Sequence, residues 1–140
     1  MRQLVIIGLC LFGVVGCENS TAPSLGVPFS VTDLEVGTGE TATSSSTVLV
    51  RYTGWLYSAG AAENKGTVFD TTGAFGSQCC SLGNTISGFS QGIAGMREGG
   101  RRLIVIPPEL GYGAQASGSV PSNSTLIFEV ELLRVGGCDL

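Results

Sequence analysis

The sequence predicts an α+β domain of about five antiparallel strands with one short helix, and three observations carry that expectation. Four segments alternate apolar and polar residues with period two, the pattern of half-buried strands. One segment alone repeats apolar residues at helical spacing. Twenty-two of the 140 residues are glycine, roughly twice the usual share and a sign of many turns. Hydrophobic residues at 43% against 13% charged fit one folded domain with an apolar core rather than a disordered chain.

Taken in order, "PFSVTDLEV" (28–36) reads as a first strand ended by Gly37-Thr38-Gly39. "TVLVRYTGWLY" (47–57) alternates, with Val48, Val50 and Tyr52 on one face and Leu49, Arg51 and Thr53 on the other. In "GFSQGIAGM" (88–96), Phe89, Ile93 and Met96 fall on one face of a short helix. Gly92 and Gly95 weaken that helix, so packing against the sheet must hold it. "RRLIVIPP" (101–108) is a shorter strand closed by Pro107 and Pro108, which have no N–H for a ladder. "TLIFEVELL" (125–133) turns Leu126, Phe128, Val130 and Leu132 one way and Glu129 and Glu131 to an exposed face, where they solubilise. Between the last two strands, "GYGAQASGSVPSNS" (111–124) has a linker's composition yet carries Tyr112, a residue poorly placed there to be core.

The N-terminus reads as an address. One charge, Arg2, precedes an uncharged apolar run at 4–15 and then Gly16-Cys17. That run is shorter than the roughly 20 residues a spanning helix needs and suits the h-region of a secretory signal. "VVGC" resembles the lipobox of bacterial lipoproteins, which makes residues 1–16 a signal peptide and Cys17 the lipidated (palmitoylated) first mature residue. The expected placement is the cell envelope, membrane-anchored through that lipid. By the lipoprotein sorting rule, Glu18 after the cysteine favours the outer membrane, facing the periplasm. Residues 17–28 then form the lipidated cysteine and a flexible tether, and 29–140 the domain. In such an oxidising compartment Cys138 can fasten the last strand to the Cys79/Cys80 segment, or the three thiols stay unpaired; a Cys79–Cys80 ring would need strained geometry.

Several chemistries are excluded. The chain has no histidine, which removes Ser-His-Asp and Cys-His nucleophiles and most zinc sites; no metal and no cofactor are expected. Net charge −4 gives no basic surface for nucleic acid. "GFSQG" (88–92) matches G-x-S-x-G, but Ser90 has no histidine to take its proton. The 113–119 loop lacks the Gly-Lys-Ser/Thr ending of a phosphate loop. What remains is a set of aromatics near strand ends and loops: Tyr52, Trp55, Phe69, Phe89, Tyr112 and Phe128, with Asp70 directly after Phe69.

In their order, "VRYTGWL", "VFDTT", "LGNTISGFSQGIAGMREGGRRLIVIPPELGYG" and "VPSNSTLIFEVELL" closely resemble the FKBP-type peptidyl-prolyl cis/trans isomerases, the macrolide-binding immunophilins. The resemblance covers about Leu34 to Val135. It implies a twisted antiparallel sheet wrapped around the short helix, and a pocket between the two with an aromatic floor at the helix start. By position it implies Tyr52, Phe69, Asp70, Tyr112 and Phe128 as catalytic residues. Ile86, Phe89 and Thr85 would bind substrate, with Val120 on the loop rim. Phe69, Phe89 and Phe128 would enclose a prolyl ring, Ile86 would offer its backbone N–H, Tyr112 would donate its hydroxyl to a substrate carbonyl, and Asp70 would orient and polarise the pocket. The implied partners are proline-containing folding proteins and macrolide inhibitors, with the chain acting as a monomer.

The activity needs no nucleophile. Rotation about an X-Pro bond crosses about 18–20 kcal/mol because amide resonance is lost midway, and the twisted state separates less charge than the planar amide. A dry aromatic pocket therefore disfavours the ground state relative to it. Three departures from the family pattern bear on efficiency. Gln78 stands where an aromatic is usual, thinning one wall unless Phe75 compensates, and Thr85 stands where an aliphatic is common. The 57–67 segment is longer than in compact members, either an extended hairpin turn or a flap over substrate. The alternative to an active isomerase is a binding or chaperone module that keeps a proline-shaped pocket with little catalysis.

Overall fold

The alternating segments all become strands. The computed structural model describes residues 26–139, so the signal segment, Cys17 and most of the expected tether lie outside the described residues. Six strands form one antiparallel sheet: β1 (Ser30–Glu35), β2 (Thr47–Tyr57), β3 (Lys65–Thr71), β4 (Gln78–Ser81), β5 (Arg101–Ile106) and β6 (Leu126–Val135). Their order is β1-β5-β6-β2-β3, with β4 also paired to β2. β6 follows β2 from Val48 to Leu56 on one side. On the other side β4 takes Thr47 to Val50 and β3 takes Thr53 to Tyr57, so β3 and β4 are two pieces of one edge separated by the 72–77 loop.

The helix α1 (Ser87–Ile93) lies on the inner face. Phe89, Ile93 and, just beyond its end, Met96 are buried against Ile104, Ile106, Val130 and Leu132, as the helical spacing predicts. The glycines that weaken this helix in isolation have a second role. A Cβ on Gly88 would stand 2.4 Å from Ile106 Cγ2, and one on Gly92 2.5 Å from Ile104 Cδ1, so only glycine lets α1 approach the sheet this closely.

Leu49, on the face of β2 opposite Val48 and Val50, is buried as they are. Leu49 is in register with Cys79, whose disulfide to Cys138 (Cα–Cα 5.5 Å) ties the chain end to that edge; Cys80 is a free thiol. Glu129 and Glu131 are not simply exposed solubilising charge. Glu129 accepts from Lys65 Nζ at 3.1 Å and pairs with Arg101, and Glu131 pairs with Arg51 at 3.2 Å, because neighbouring strands present basic residues on that same outer face.

The long 57–67 connection is a folded hairpin turn. A 3-10 turn at Ala62–Asn64 fills it, and the Ser58 N–H donates to the Asn64 carbonyl at 2.8 Å, drawing the two ends together.

Candidate active site

Separate elements each bring one aromatic ring to the same place. Phe89 comes from the start of α1, Tyr52 from β2, Phe69 from β3 and Phe128 from β6. Phe128 is the centre, with ring centroids 5.1 Å from Phe89, 5.4 Å from Phe69 and 5.9 Å from Tyr52. The Tyr52 ring also lies 5.7 Å from that of Phe89. All four contacts are edge-to-face, a geometry worth about 0.5–1.5 kcal/mol per pair beyond area burial. Gly54 leaves room for them: a Cβ there would lie 2.8 Å from the Phe69 ring and 2.9 Å from that of Phe128.

Above these rings opens a cavity of about 250 Å³. Of the residues expected to form a site, Tyr52, Phe69, Asp70 and Phe128 line it, as do Thr85, Ile86, Phe89 and Tyr112. Val120 does not. It is only 4% exposed and packs in the core, because the Ser117–Val120 backbone bridge folds the loop back and turns this side chain inward. Trp55 also lies elsewhere, on the outer face with Lys65 Nζ 4.5 Å from its ring centroid.

The cavity's polar groups are few. The Tyr52 hydroxyl donates to Asp70 Oδ2 at 2.7 Å; burial first, and this bond to Asp70 second, push its pKa above the ordinary phenol value. Ile86 caps α1 by accepting from the Phe89 and Ser90 N–H groups at 3.1 and 3.2 Å. Its own N–H has no acceptor among the described residues, which leaves it available to a bound peptide. Thr85 is held by donating its hydroxyl to the Leu82 carbonyl at 2.9 Å. Tyr112 is 38% exposed at the cavity mouth. The loop that follows it is tied down by Asn123 N–H to the Gly113 carbonyl at 2.7 Å and Ser119 Oγ to the Phe69 carbonyl at 3.4 Å, so it is no spacer.

Cys80 and Asn84 complete the lining, and sequence reasoning missed both. Gln78 does not line the cavity, its amide instead donating to the Cys79 carbonyl at 3.0 Å, and Phe75 does not stand in for a missing aromatic wall because it is fully exposed. Burial first, and the Asp70 charge second, raise the Cys80 thiol above its ordinary value, so it is a weak nucleophile. Ser90 in "GFSQG" donates to the Ser44 carbonyl at 3.2 Å and takes no part in the cavity. Among the described residues no group of three or more Cys, Asp or Glu could hold a metal ion.

Comparison with known proteins agrees with this geometry. The family model described as FKBP-type peptidyl-prolyl cis-trans isomerase matches residues 38–133. An FK506-binding protein of Neisseria meningitidis serogroup A is 43% identical over 114 residues, covering 75% of this chain and 94% of that protein. Among solved structures, FkpA from Escherichia coli superimposes with a TM-score of 0.68 at 35% identity, covering 79% of this chain and 49% of that one. A peptidyl-prolyl cis-trans isomerase from Pseudomonas syringae pv. tomato gives 0.66 at 31% identity, covering 78% and 76%.

Proposed function

The chain belongs to the FKBP-type peptidyl-prolyl cis-trans isomerase family, and from that premise we propose that its isomerase activity resides in the cavity between α1 and the sheet. The observation that carries this is the ring cluster of Tyr52, Phe69, Phe89 and Phe128 under a cavity with only a few oriented polar groups. A prolyl ring sits on Phe89 between Phe69 and Phe128. The Ile86 N–H and the Tyr112 hydroxyl hold carbonyls of the bound peptide on either side of the rotating bond. Asp70 fixes the Tyr52 hydroxyl by the 2.7 Å bond and adds a negative field at the cavity edge. Rotation is favoured because the dry aromatic walls solvate the less polar twisted amide better than the planar one. Macrolides that mimic the twisted prolyl amide compete for the same cavity.

The test compares cis-to-trans exchange of a proline tetrapeptide by Phe128→Ala, Asp70→Ala and Glu40→Ala. The first two lose about tenfold or more in kcat/KM, equivalent to roughly 1.4 kcal/mol or more of transition-state stabilisation, while Glu40→Ala, on a remote exposed segment, stays near wild type. Asp70→Ala guards against misfolding, since Phe128 is buried and Asp70 is exposed. Equal effects of all three substitutions place the site elsewhere.

The apolar 4–15 run and "VVGC", with Glu18 after the cysteine, support an extracytoplasmic, lipid-anchored protein that acts on folding proteins at the outer membrane. The mass of the mature protein checks this: acyl chains on an N-terminal Cys17 are expected, and an unmodified chain retaining residues 1–16 would refute it.

A further inference from the structure

Asp70 is the one formal charge in the cavity lining, and no cation answers it. Its Oδ2 accepts from the Tyr52 hydroxyl at 2.7 Å, while its Oδ1 has no donor among the described residues. The residue is exposed at the cavity edge. The two segments that shape the cavity mouth add no charge of their own. Across 69–87, which carries Phe69, the Cys80 wall and the Thr85–Ile86 approach to α1, Asp70 is the single charged residue, and the 111–124 segment that begins with Gly111-Tyr112 has none.

Every lysine and arginine among the described residues is committed elsewhere. Arg51 pairs with Glu131, Lys65 and Arg101 with Glu129, and Arg102 with Asp33. Arg97 donates to Thr41 Oγ1 at 3.3 Å, and Arg134 to the Asp139 carbonyl. The Asp70 charge therefore acts on the cavity itself: burial first, and then this charge, raise the Cys80 thiol, and the same charge adds to the rise at Tyr52. A carboxylate with one oxygen unbonded and no counter-charge, beside the place where a peptide binds, is a recognition group for a cation.

We propose that Asp70 also sets substrate choice, selecting prolyl bonds flanked by an arginine or a lysine. The apolar stem of such a side chain lies along the aromatic walls while its charged head reaches Oδ1 at the exposed edge. An acidic flanking residue meets like charge there and is disfavoured. The proposal rests on the cavity being the isomerase site.

The experiment uses the full chain and proline tetrapeptides that carry either arginine or its uncharged isostere citrulline, placed directly before or directly after the proline. At low ionic strength the wild type is expected to show a kcat/KM about threefold higher for arginine than for citrulline in at least one placement. That gain disappears in ~0.5 M salt, which screens exposed charges within a few ångströms, while the citrulline rates stay level. Asp70→Asn slows every peptide and is read as a ratio, with arginine and citrulline becoming equal. Equal wild-type rates for the two residues in both placements overturn the proposal, and so does an arginine preference that survives high salt or Asp70→Asn. Where Asp70→Asn is too slow for a ratio, the wild-type salt series decides alone. Failure of the cavity reading is separately visible, because Phe128→Ala would then exchange the citrulline peptides at the wild-type rate.

Discussion

Glu129 shows how a residue's role depends on what faces it. Read along β6 it is a solvent-side charge, but Lys65 and Arg101 close on it from two neighbouring strands. Burial opposes its ionisation, and the hydrogen bonds from Lys65 and Arg101 outweigh that, so the carboxyl is held below its ordinary value of 4.5. A carboxylate whose folded pKa is lowered stabilises the fold fully above its unfolded value and loses that contribution as pH falls through the folded one. Glu129→Gln should therefore be less stable than wild type in urea unfolding at neutral pH, with the difference shrinking as the pH drops below about 4.5. A difference independent of pH would mean that the ion pairs contribute nothing through charge. The aromatic residues were legible one by one from their place near strand ends, whereas Cys80 and Asn84 were not, since nothing in a thiol or an amide between two strands marks it as cavity wall.

Among the elements, the long strands β2 and β6 and the helix α1 were legible because each carries its own periodicity. β3 and β4 were not. "KGTVFDT" and "QCCS" are short and polar, and they become strands only because each pairs with one half of β2. The same dependence explains Val120: the motif order places it at a pocket rim, and a local backbone bridge decides that it faces the core. Gly88 and Gly92 reverse their meaning as well, a cost to an isolated helix and the condition for docking this one. The Cys79–Cys138 disulfide closes a sequence separation of 59, which in the loop-entropy account stabilises by about 4 kcal/mol. That link steadies β4, which supplies Cys80, directly before the Leu82–Asn84 turn that leads to Thr85 and Ile86.

At the scale of the molecule, the sheet gives three of the four rings and the helix gives the fourth, so the cavity exists only when the two layers pack. The chemistry follows from what that cavity lacks. There is no histidine in the chain, and burial raises both Tyr52 and Cys80 above their ordinary values, so neither changes charge between about pH 6 and 8. The central claim is that this domain rotates prolyl bonds by solvation and positioning, with no proton transferred. The most direct measurement is the pH profile of kcat/KM for tetrapeptide exchange over that interval, at temperatures where the fold is intact throughout. The profile should be level to within about twofold. A bell, or a tenfold change per pH unit, would contradict it by revealing an acid or base in the rate-limiting step.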